Sequence, residues 1–297
     1  MKPVIEMEHV DKEYKGKKAV DDLTLCIGEG SLTALLGPNG AGKTTSVSMM
    51  LGLQQPSRGS IRVWGGRPGD RAVRERIGAM LQDISVIDRL KVSEVIDLFR
   101  RYYSKPLPLQ ELLRLSGLEP EKHRMASALS GGQKRRLEFA LALAGDPSVL
   151  FLDEPTVGMD ITSRQAFWET IRSLHHEGRT IILTTHYLEE ADQLADKIAV
   201  INHGRMIASG TTAEIKAAQG SRSISFTAGP GVTEEALSAM PAVLQLERDG
   251  DRVKLASRNT DRLIRALVQS GLDIRDIEIR NAGLEEAFRT LIQEDEQ

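Results

Sequence analysis

The stretch SLTALLGPNGAGKT, residues 31–44, decides the fold. Its first half, SLTALLG, is a nearly continuous apolar run that ends in glycine, and the helix-forming stretch TTSVSMMLGL follows it along the chain. Such a run predicts a strand that is buried on both faces of a parallel sheet and leads into a helix. VLFLDEP and TIILTTH repeat the pattern, with helical sequence such as SRQAFWETIRSLHHEG between them, which Gly178 would terminate. The alternation predicts a doubly wound α/β sheet.

The segment GPNGAGKT, from Gly37 to Thr44, fits the phosphate-binding pattern G-x-x-x-x-G-K-[ST] between a buried strand and a helix. Its glycines let successive backbone N–H groups converge on phosphate oxygens, which a Cβ would obstruct. Lys43 would then neutralise the β and γ phosphates, and the Thr44 hydroxyl would bind Mg²⁺. The alternative is a glycine-rich turn with an exposed lysine, which the flanking strand and helix disfavour. The predicted nucleotide-binding residues here are Gly37, Pro38, Asn39, Gly40, Ala41, Gly42, Lys43, Thr44 and Thr45.

The stretch VLFLDEP places two carboxylates, Asp153 and Glu154, at the end of an apolar strand. Ligands bind at the carboxyl edge of open α/β sheets, so both acids are predicted to lie at the nucleotide. Because side chains alternate across a strand, Asp153 is predicted to face Mg²⁺ and Glu154 the water that attacks the γ phosphate. Without the phosphate-binding segment, adjacent acids at a strand end would more often be solvated turn residues.

The stretch LSGGQ, residues 129–133, opens the helical run KRRLEFALALA. Ser130 and Gln133 fit a capping box, with Ser130 as the N-cap. A cap does not explain Gly131 and Gly132, because each glycine is about 1 kcal/mol less favourable than alanine in a helix. Bare N–H groups at a helix N-terminus bind anions, so LSGGQ predicts a second phosphate contact. The basic residues that follow could equally form a solvated turn: Lys134, Arg135 and Arg136.

Weaker patterns surround these motifs. VIEMEHV and LTLCI, before Thr33, are short strand-like stretches broken by charged turns, which predicts an antiparallel edge sheet. KVSEVIDLFRRYY and LQELLRLSGL, with breaks at Pro106, Pro108 and Gly117, predict a helical subdomain over about residues 83–145. AVINHGRMIASG predicts a hairpin whose turn lies at residues 202–204.

The pattern changes after AEIKAAQG. SISFTA, TEEALSAM, VLQLERDGDRVKLAS, TDRLIRALVQSG and IRDIEIR predict strand, helix, hairpin, helix and strand, with Asp249 and Gly250 as the hairpin turn. This order fits a small α+β domain of the split βαβ, ferredoxin-like kind, followed by a final helix, LEEAFRTLI. We therefore predict a nucleotide-binding domain over residues 1–220 and an accessory domain over residues 221–297.

Composition limits the function. The 297 residues carry a formal net charge of -3, with a pI near 6.1, which disfavours nucleic acid as a partner. Cys26 has no second cysteine to pair with, and is predicted to be a small buried residue in a reducing cytoplasm. The N-terminus lacks the apolar core of a secretory signal, and no stretch approaches the roughly 18 apolar residues of a spanning helix. Any membrane crossing is therefore expected from another chain.

Taken together, the motifs resemble the ATP-binding subunits of ABC transporters. The phosphate-binding segment, LSGGQ, VLFLDEP and PTVGMD occur in that family's order, and the resemblance covers roughly residues 1–220. It implies a P-loop NTPase fold of the ABC ATPase type, with a mixed core sheet, an antiparallel edge sheet and a helical subdomain. It also implies that two copies pair head to tail and hold each ATP between the P-loop of one copy and LSGGQ of the other. The residues implied to contact ATP from the second copy are Ser130, Gly131, Gly132 and Gln133.

Four further residues match functional positions of that family. Tyr14 matches the aromatic residue that stacks on adenine, and Asp160 lies in the loop that crosses the dimer interface. Gln82 matches the glutamine that approaches Mg²⁺ and the attacking water, and His186 matches the histidine that contacts the γ phosphate. As ordinary residues they would be a strand tyrosine, a helix N-cap, a surface amide and an isolated histidine. The chain departs from the family's commonest sequence at Asp83, Val157 and Met159. None of these differences removes a catalytic group.

The resemblance implies an ATPase subunit that powers an ABC exporter, and LEEAFRTLI resembles the ending of ATPases paired with drug, antibiotic or lipid exporters. Its implied partners are a membrane permease and a second copy of the chain, at the cytoplasmic face of the membrane. The implied catalytic residues are Lys43, Gln82, Glu154 and His186, and the implied Mg²⁺ ligands are Thr44, Gln82 and Asp153.

Two alternatives remain open at the level of sequence. The first is an ABC ATPase without a transport role, although such relatives usually carry two cassettes or a long coiled-coil insertion. The second is a module that senses ATP without hydrolysing it, which the presence of Glu154 disfavours.

Overall fold

The computed structural model describes residues 2–81, 89–218, 222–257, 259–281 and 283–295. The chain forms two compact units, Met1–Ser209 and Gly210–Gln297. The division into functional domains near residue 220 stays a prediction, because a compact unit and a functional domain need not end at the same residue.

The first unit contains most of the strands and helices. Its elements in chain order are β1 (Pro3–Tyr14), β2 (Lys17–Gly28), β3 (Leu32–Leu36), α1 (Lys43–Met50), β4 (Arg58–Val63), α2 (Arg71–Arg74), β5 (Ile77–Met80), α3 (Val92–Arg100), α4 (Leu109–Ser116), a 3₁₀ turn (Ala126–Ala128), α5 (Gly131–Leu143), β6 (Val149–Asp153), α6 (Ile161–His176), β7 (Thr180–Thr184), α7 (Leu188–Leu194), β8 (Lys197–Asn202) and β9 (Arg205–Thr211), whose last two residues belong to the second unit.

The central six-stranded sheet has the order β5-β6-β7-β3-β8-β9. β3 runs parallel to β7 and β8, and β6 runs parallel to β5 and β7. Every residue of β3, β6 and β7 is buried, which confirms the strands predicted from the apolar runs. Because β3, β7 and β6 are neighbours and parallel, their carboxyl ends lie side by side at one edge of the sheet.

A separate three-stranded antiparallel sheet has the order β2-β1-β4. It confirms the predicted edge sheet, although β1 and β2 extend well beyond the predicted stretches. The prediction that Cys26 is buried is wrong, because its side chain is exposed. Alternation along β2 explains the exposure: Leu25 and Ile27 point into the core, so Cys26 between them points to the other face.

The helical subdomain is built by α3, α4 and α5. Pro108 precedes α4, and Gly117 ends it in the left-handed conformation with φ 62, as the predicted breaks require. Apolar residues of all three helices share one buried cluster, which includes Ile96, Leu112 and Leu137. The same cluster includes Leu150 and Leu152 of β6, so the helices share one hydrophobic core with the strand that carries Asp153.

The second unit is a small α+β structure, as predicted. After α8 (Thr212–Ala218), its elements are β10 (Arg222–Ala228), α9 (Glu234–Ser238), β11 (Val243–Asp249), β12 (Arg252–Ser257), α10 (Thr260–Gln269), β13 (Ile274–Asn281) and α11 (Leu284–Asp295). The strands form an antiparallel sheet in the order β11-β12-β10-β13, the arrangement of a split βαβ motif. Phe226, Leu255 and Leu263 lie in its own buried core.

Both predicted hairpins are present. Between β8 and β9, which are neighbours in the sheet, His203 has φ 46 and Gly204 has φ 82, as in a two-residue turn with positive φ at both positions. The second turn is shifted by one residue from the prediction. Asp249 pairs with Arg252 in the ladder, so Gly250 is the first turn residue and Asp249 is the last residue of its strand.

Among the described residues, no helix combines the length and the apolar character that crossing a membrane requires.

Candidate nucleotide site

The phosphate-binding segment, residues 37–44, is the P-loop and joins β3 to α1. Packing within this chain requires two of its glycines. A Cβ at Gly37 would lie 2.2 Å from the backbone oxygen of Ile201. A Cβ at Gly42 would lie 2.4 Å from the backbone oxygen of Ala19, and Gly42 has φ 102, which L side chains rarely adopt. No side chain caps α1 at Gly42. The first N–H groups of the helix are therefore available to an anion.

Lys43 lies at the base of the loop with only 7% of its surface exposed. Its Nζ donates to the backbone oxygens of Gly37 at 2.7 Å and Pro38 at 3.0 Å. The pKa of Lys43 is lowered from its usual value, because the effect of burial exceeds the opposing effect of the charges of Glu154 and Asp153. The loop's carbonyl oxygens thus hold the ammonium group where phosphate oxygens could replace them.

Asp153 is the last residue of β6 and is 2% exposed. One carboxylate oxygen accepts a hydrogen bond from the Thr184 hydroxyl. The other, Oδ2, is buried and has no hydrogen-bond partner in the part of the chain that the structure describes. Burial raises the pKa of Asp153, and the Thr184 hydrogen bond lowers it. A buried carboxylate oxygen without a partner fits the oxygen ligation that Mg²⁺ prefers.

Glu154 follows β6 in a left-handed turn with φ 48, a conformation that costs a non-glycine residue about 1–3 kcal/mol. Its N–H donates to the backbone oxygen of Thr184 at 2.9 Å, which holds the turn in place. Its Oε1 lies 3.3 Å from Nδ1 of His186. The turn, and not strand alternation, therefore orients Glu154, and it brings together two residues that were singled out separately in the sequence.

Arg135 supports the same turn and was not predicted to do so. Its guanidinium donates to the backbone oxygens of Asp153 at 3.2 Å and Glu154 at 2.8 Å, and to Glu138 at 2.7 Å. Its side chain is only 13% exposed, so the solvated-turn interpretation does not hold for Arg135. A basic residue two positions after LSGGQ was the only available signal, because the backbone oxygens of Asp153 and Glu154 lie at the end of a distant strand.

A cavity of about 540 Å³ opens over the P-loop. Tyr14, which is 43% exposed, lies at its rim, and its hydroxyl donates to Gln54 Oε1. Lys17, Lys18 and Ala19, at the start of β2, also line the cavity. They were not identified from the sequence, because two lysines and an alanine form no nucleotide-binding motif. The lining residues are Tyr14, Lys17, Lys18, Ala19, Asn39, Gly40, Ala41, Gly42, Lys43, Thr44, Thr45 and Glu154.

LSGGQ lies at the N-terminus of α5 and does not line this cavity. Gln133 N–H donates to the Ser130 hydroxyl, and Ser130 N–H donates to Gln133 Oε1 at 2.9 Å, which is the predicted capping box. A Cβ at Gly131 would meet nothing within 4 Å, and one at Gly132 would reach only ordinary contact, 3.4 Å from Gly158. Packing within this chain therefore does not require either glycine.

Asp160 is the N-cap of α6. Its carboxylate accepts hydrogen bonds from the N–H of Ser163 at 2.9 Å and from its hydroxyl at 2.7 Å, and these bonds lower the pKa of Asp160. The side chain is exposed, so the cap leaves it accessible. Gln82 lies outside the described residues.

The fully buried parallel strands, the P-loop at the end of β3 and the two carboxylates at the end of β6 define a P-loop nucleoside triphosphatase. Within that class, LSGGQ indicates the ATP-binding subunits of ABC transporters, which the motif order resembles.

The sequence model for the ABC transporter family matches residues 20–157. A daunorubicin resistance ATP-binding protein from Streptomyces coeruleorubidus is 38% identical over 98% of this chain and 96% of its own length. A Nod factor export ATP-binding protein from Paraburkholderia xenovorans is 41% identical over 72% of this chain and 73% of its own length. A bacterial ABC transporter cassette with a dimeric structure is 25% identical, with a TM-score of 0.65, over 70% of this chain and 98% of that one.

This chain belongs to the ABC transporter family, as an ATP-binding subunit that hydrolyses ATP.

Proposed function

We propose that this ATPase powers a membrane exporter, as the peripheral subunit at the cytoplasmic face of a permease. Two relatives whose names state drug resistance or export align over 96% and 73% of their own lengths. The resemblance to the first relative includes the second unit, so it is not limited to the cassette that all ABC proteins share. Transported molecules would contact the permease, and this subunit would supply the free energy of ATP binding and hydrolysis.

Two copies of the chain would enclose ATP head to tail. Among the described residues, the cavity over the P-loop is lined by the P-loop, the first two strands and Glu154, and not by LSGGQ. Gly131 and Gly132, which packing within the chain does not require, lie in the first turn of α5, where backbone N–H groups have no partner within the helix. These groups would bind phosphate oxygens of the ATP held by the partner. The relative with a dimeric structure supports the pairing of two such cassettes.

Within each site, the residues would have distinct roles. Glu154 would orient and deprotonate the attacking water, and His186 would contact the γ phosphate. Lys43 would neutralise charge on the β and γ phosphates, and Tyr14 would stack on adenine. Mg²⁺, when bound, would supply further positive charge at the phosphates, with Thr44, Asp153 and Gln82 as its protein ligands. Asp160 would cross the dimer interface.

The observation that carries the proposed hydrolytic mechanism is the position of Glu154. Its carboxylate lines the P-loop cavity and lies 3.3 Å from His186. A protein that only sensed ATP would not need a carboxylate there.

Coupling to transport would follow from linkage. ATP binds the closed dimer better than the open one if closure supplies the contacts from LSGGQ, so ATP shifts the population toward closure. Hydrolysis then removes those contacts and reopens the dimer, and the permease follows both changes.

The Glu154→Gln variant tests this function. We expect hydrolysis to fall by at least about 100-fold, because the amide cannot accept a proton. ATP binding should persist, so ATP should hold the variant as a dimer in sedimentation velocity experiments, whereas the wild type returns to the monomer as it hydrolyses ATP.

Glu177→Gln, at an exposed glutamate after α6, is the matched control and should behave as wild type. Wild-type turnover in Glu154→Gln would remove Glu154 from its role. A variant that binds ATP and stays monomeric would contradict the head-to-tail arrangement.

A further inference from the structure

Glu190 is a buried acid that the proposed mechanism does not use. It lies in α7, four residues after His186, and is fully buried. Its Oε1 accepts hydrogen bonds from the Thr156 hydroxyl at 2.9 Å and from Trp168 Nε1 at 3.0 Å. Burial raises the pKa of Glu190, and its hydrogen bonds and the charge of Arg164 lower it. Burying such a group costs free energy unless it is hydrogen-bonded. The question is therefore what its hydrogen bonds hold in place.

The Thr156 hydrogen bond joins the loop that carries Glu154 to α7, the helix that begins two residues after His186. Thr156 lies two residues after Glu154, in the loop between β6 and α6. His186 lies in the loop between β7 and α7. The loop after β6 therefore contacts the segment around His186 both inside the protein, from Thr156 to Glu190 in α7, and at the site, between Glu154 and His186 at 3.3 Å.

The two contacts differ in their exposure to water. Thr156, Trp168 and Glu190 are each at most 5% exposed. The side chains of His186 and Glu154 are 45% and 19% exposed. Hydrogen bonds that water does not reach are stronger and hold their geometry better than exposed ones. The buried contact is thus better able than the exposed one to fix the position of α7, and of the His186 loop before it, against the loop that carries Glu154.

We propose that Glu190 is a positioning residue of ATP hydrolysis, which holds His186 against Glu154 by binding Thr156 and Trp168. This inference rests on the proposed roles of Glu154 and His186. It assigns Glu190 no contact with ATP, so its loss should reduce kcat and leave KM for ATP nearly unchanged.

The experiment compares steady-state ATP hydrolysis by Thr156→Val and Glu190→Ala with that of the wild type. Thr156→Val removes one hydrogen bond and keeps the buried volume, so it remains informative if Glu190→Ala folds poorly. We expect kcat to fall roughly 10- to 100-fold in both variants, with KM for ATP within about twofold. Thr170→Val, which removes a hydroxyl that donates to the α6 backbone at Ala166, is the matched control. Glu190→Gln keeps the acceptor oxygen and should restore most of kcat.

A second set of variants separates positioning from stability. If Glu190 acts through His186, Thr156→Val should cause no further loss of kcat in a His186→Ala background. Losses that multiply in the double variant would overturn the inference and leave the roles of Glu154 and His186 intact. Equal losses in Glu190→Gln and Glu190→Ala would also overturn it. Wild-type kcat in His186→Ala alone would overturn both the role of His186 and this inference.

Discussion

The P-loop and LSGGQ are both glycine-rich stretches at helix N-termini, yet packing within the chain accounts for only one of them. In the P-loop, Cβ atoms at Gly37 and Gly42 would collide with the backbone of β8 and β2. In LSGGQ, a Cβ at Gly131 would meet open space. The P-loop glycines are therefore needed for the monomer to fold around a phosphate site, whereas the LSGGQ glycines need a reason from outside the monomer.

This contrast shows how a half-site can be recognised in one chain. Residues that are locally unfavourable, exposed and sterically unconstrained are candidates for contact with something absent from the chain. Ser130 and Gln133 do not meet that test, because their capping box accounts for them. Gly131 does, because it is exposed and a Cβ there would meet nothing within 4 Å, and the dimer proposal depends chiefly on it.

The largest expected effect is at Gly42. Gly42→Ala should destabilise the monomer by about 2–4 kcal/mol and abolish ATP binding, since a Cβ there combines a close backbone contact with a positive φ. Gly131→Ala is the matched control and should leave the free energy of unfolding unchanged or raise it by up to ~1 kcal/mol. Chemical denaturation and equilibrium ATP binding measure both. Equal destabilisation by the two substitutions would break the contrast.

Gly131→Asp should separate stability from activity. A carboxylate in the first turn of α5 is favourable for the helix dipole, so the melting temperature of the monomer should not fall. ATP hydrolysis should fall roughly 100-fold, because the same carboxylate would repel the phosphates of the ATP bound to the partner. ATP binding by the monomer should persist. Wild-type hydrolysis by a folded Gly131→Asp protein would show that LSGGQ does not contact ATP.

The smallest expected effect is at the rim of the cavity. Tyr14→Ala should raise KM for ATP roughly tenfold, with little change in kcat, since stacking on a base contributes about 1–3 kcal/mol. Tyr14→Phe loses only the hydroxyl bonded to Gln54 and should raise KM at most about threefold. If Tyr14→Ala has wild-type KM, the ring does not stack on adenine.

The sequence was sufficient for those parts of the site in which a motif is continuous in the chain. The apolar runs predicted β3, β6 and β7, and the P-loop pattern predicted the start of α1 to within one residue. The N-cap positions of Ser130 and Asp160 followed from local hydrogen-bonding rules and are present.

The sequence was insufficient for features that depend on tertiary contacts. The left-handed turn at Glu154 is held by Thr184 and Arg135, which come from a neighbouring strand and from a helix. The exposure of Cys26 depends on the register of β2, which an apolar neighbourhood does not reveal. The buried contacts of Glu190 join segments 22 and 34 residues apart, and no single stretch of sequence carries that signal.

Complementation between two inactive variants tests the central claim most directly. Lys43→Ala disables the P-loop and Gly131→Asp disables LSGGQ, so each homodimer would have two defective sites. In a head-to-tail heterodimer, one site would combine both defects and the other would be intact. An equimolar mixture should therefore recover about a quarter of the wild-type rate of ATP hydrolysis, because about half of the dimers are mixed and each has one working site. A mixture as inactive as its two components would contradict the account.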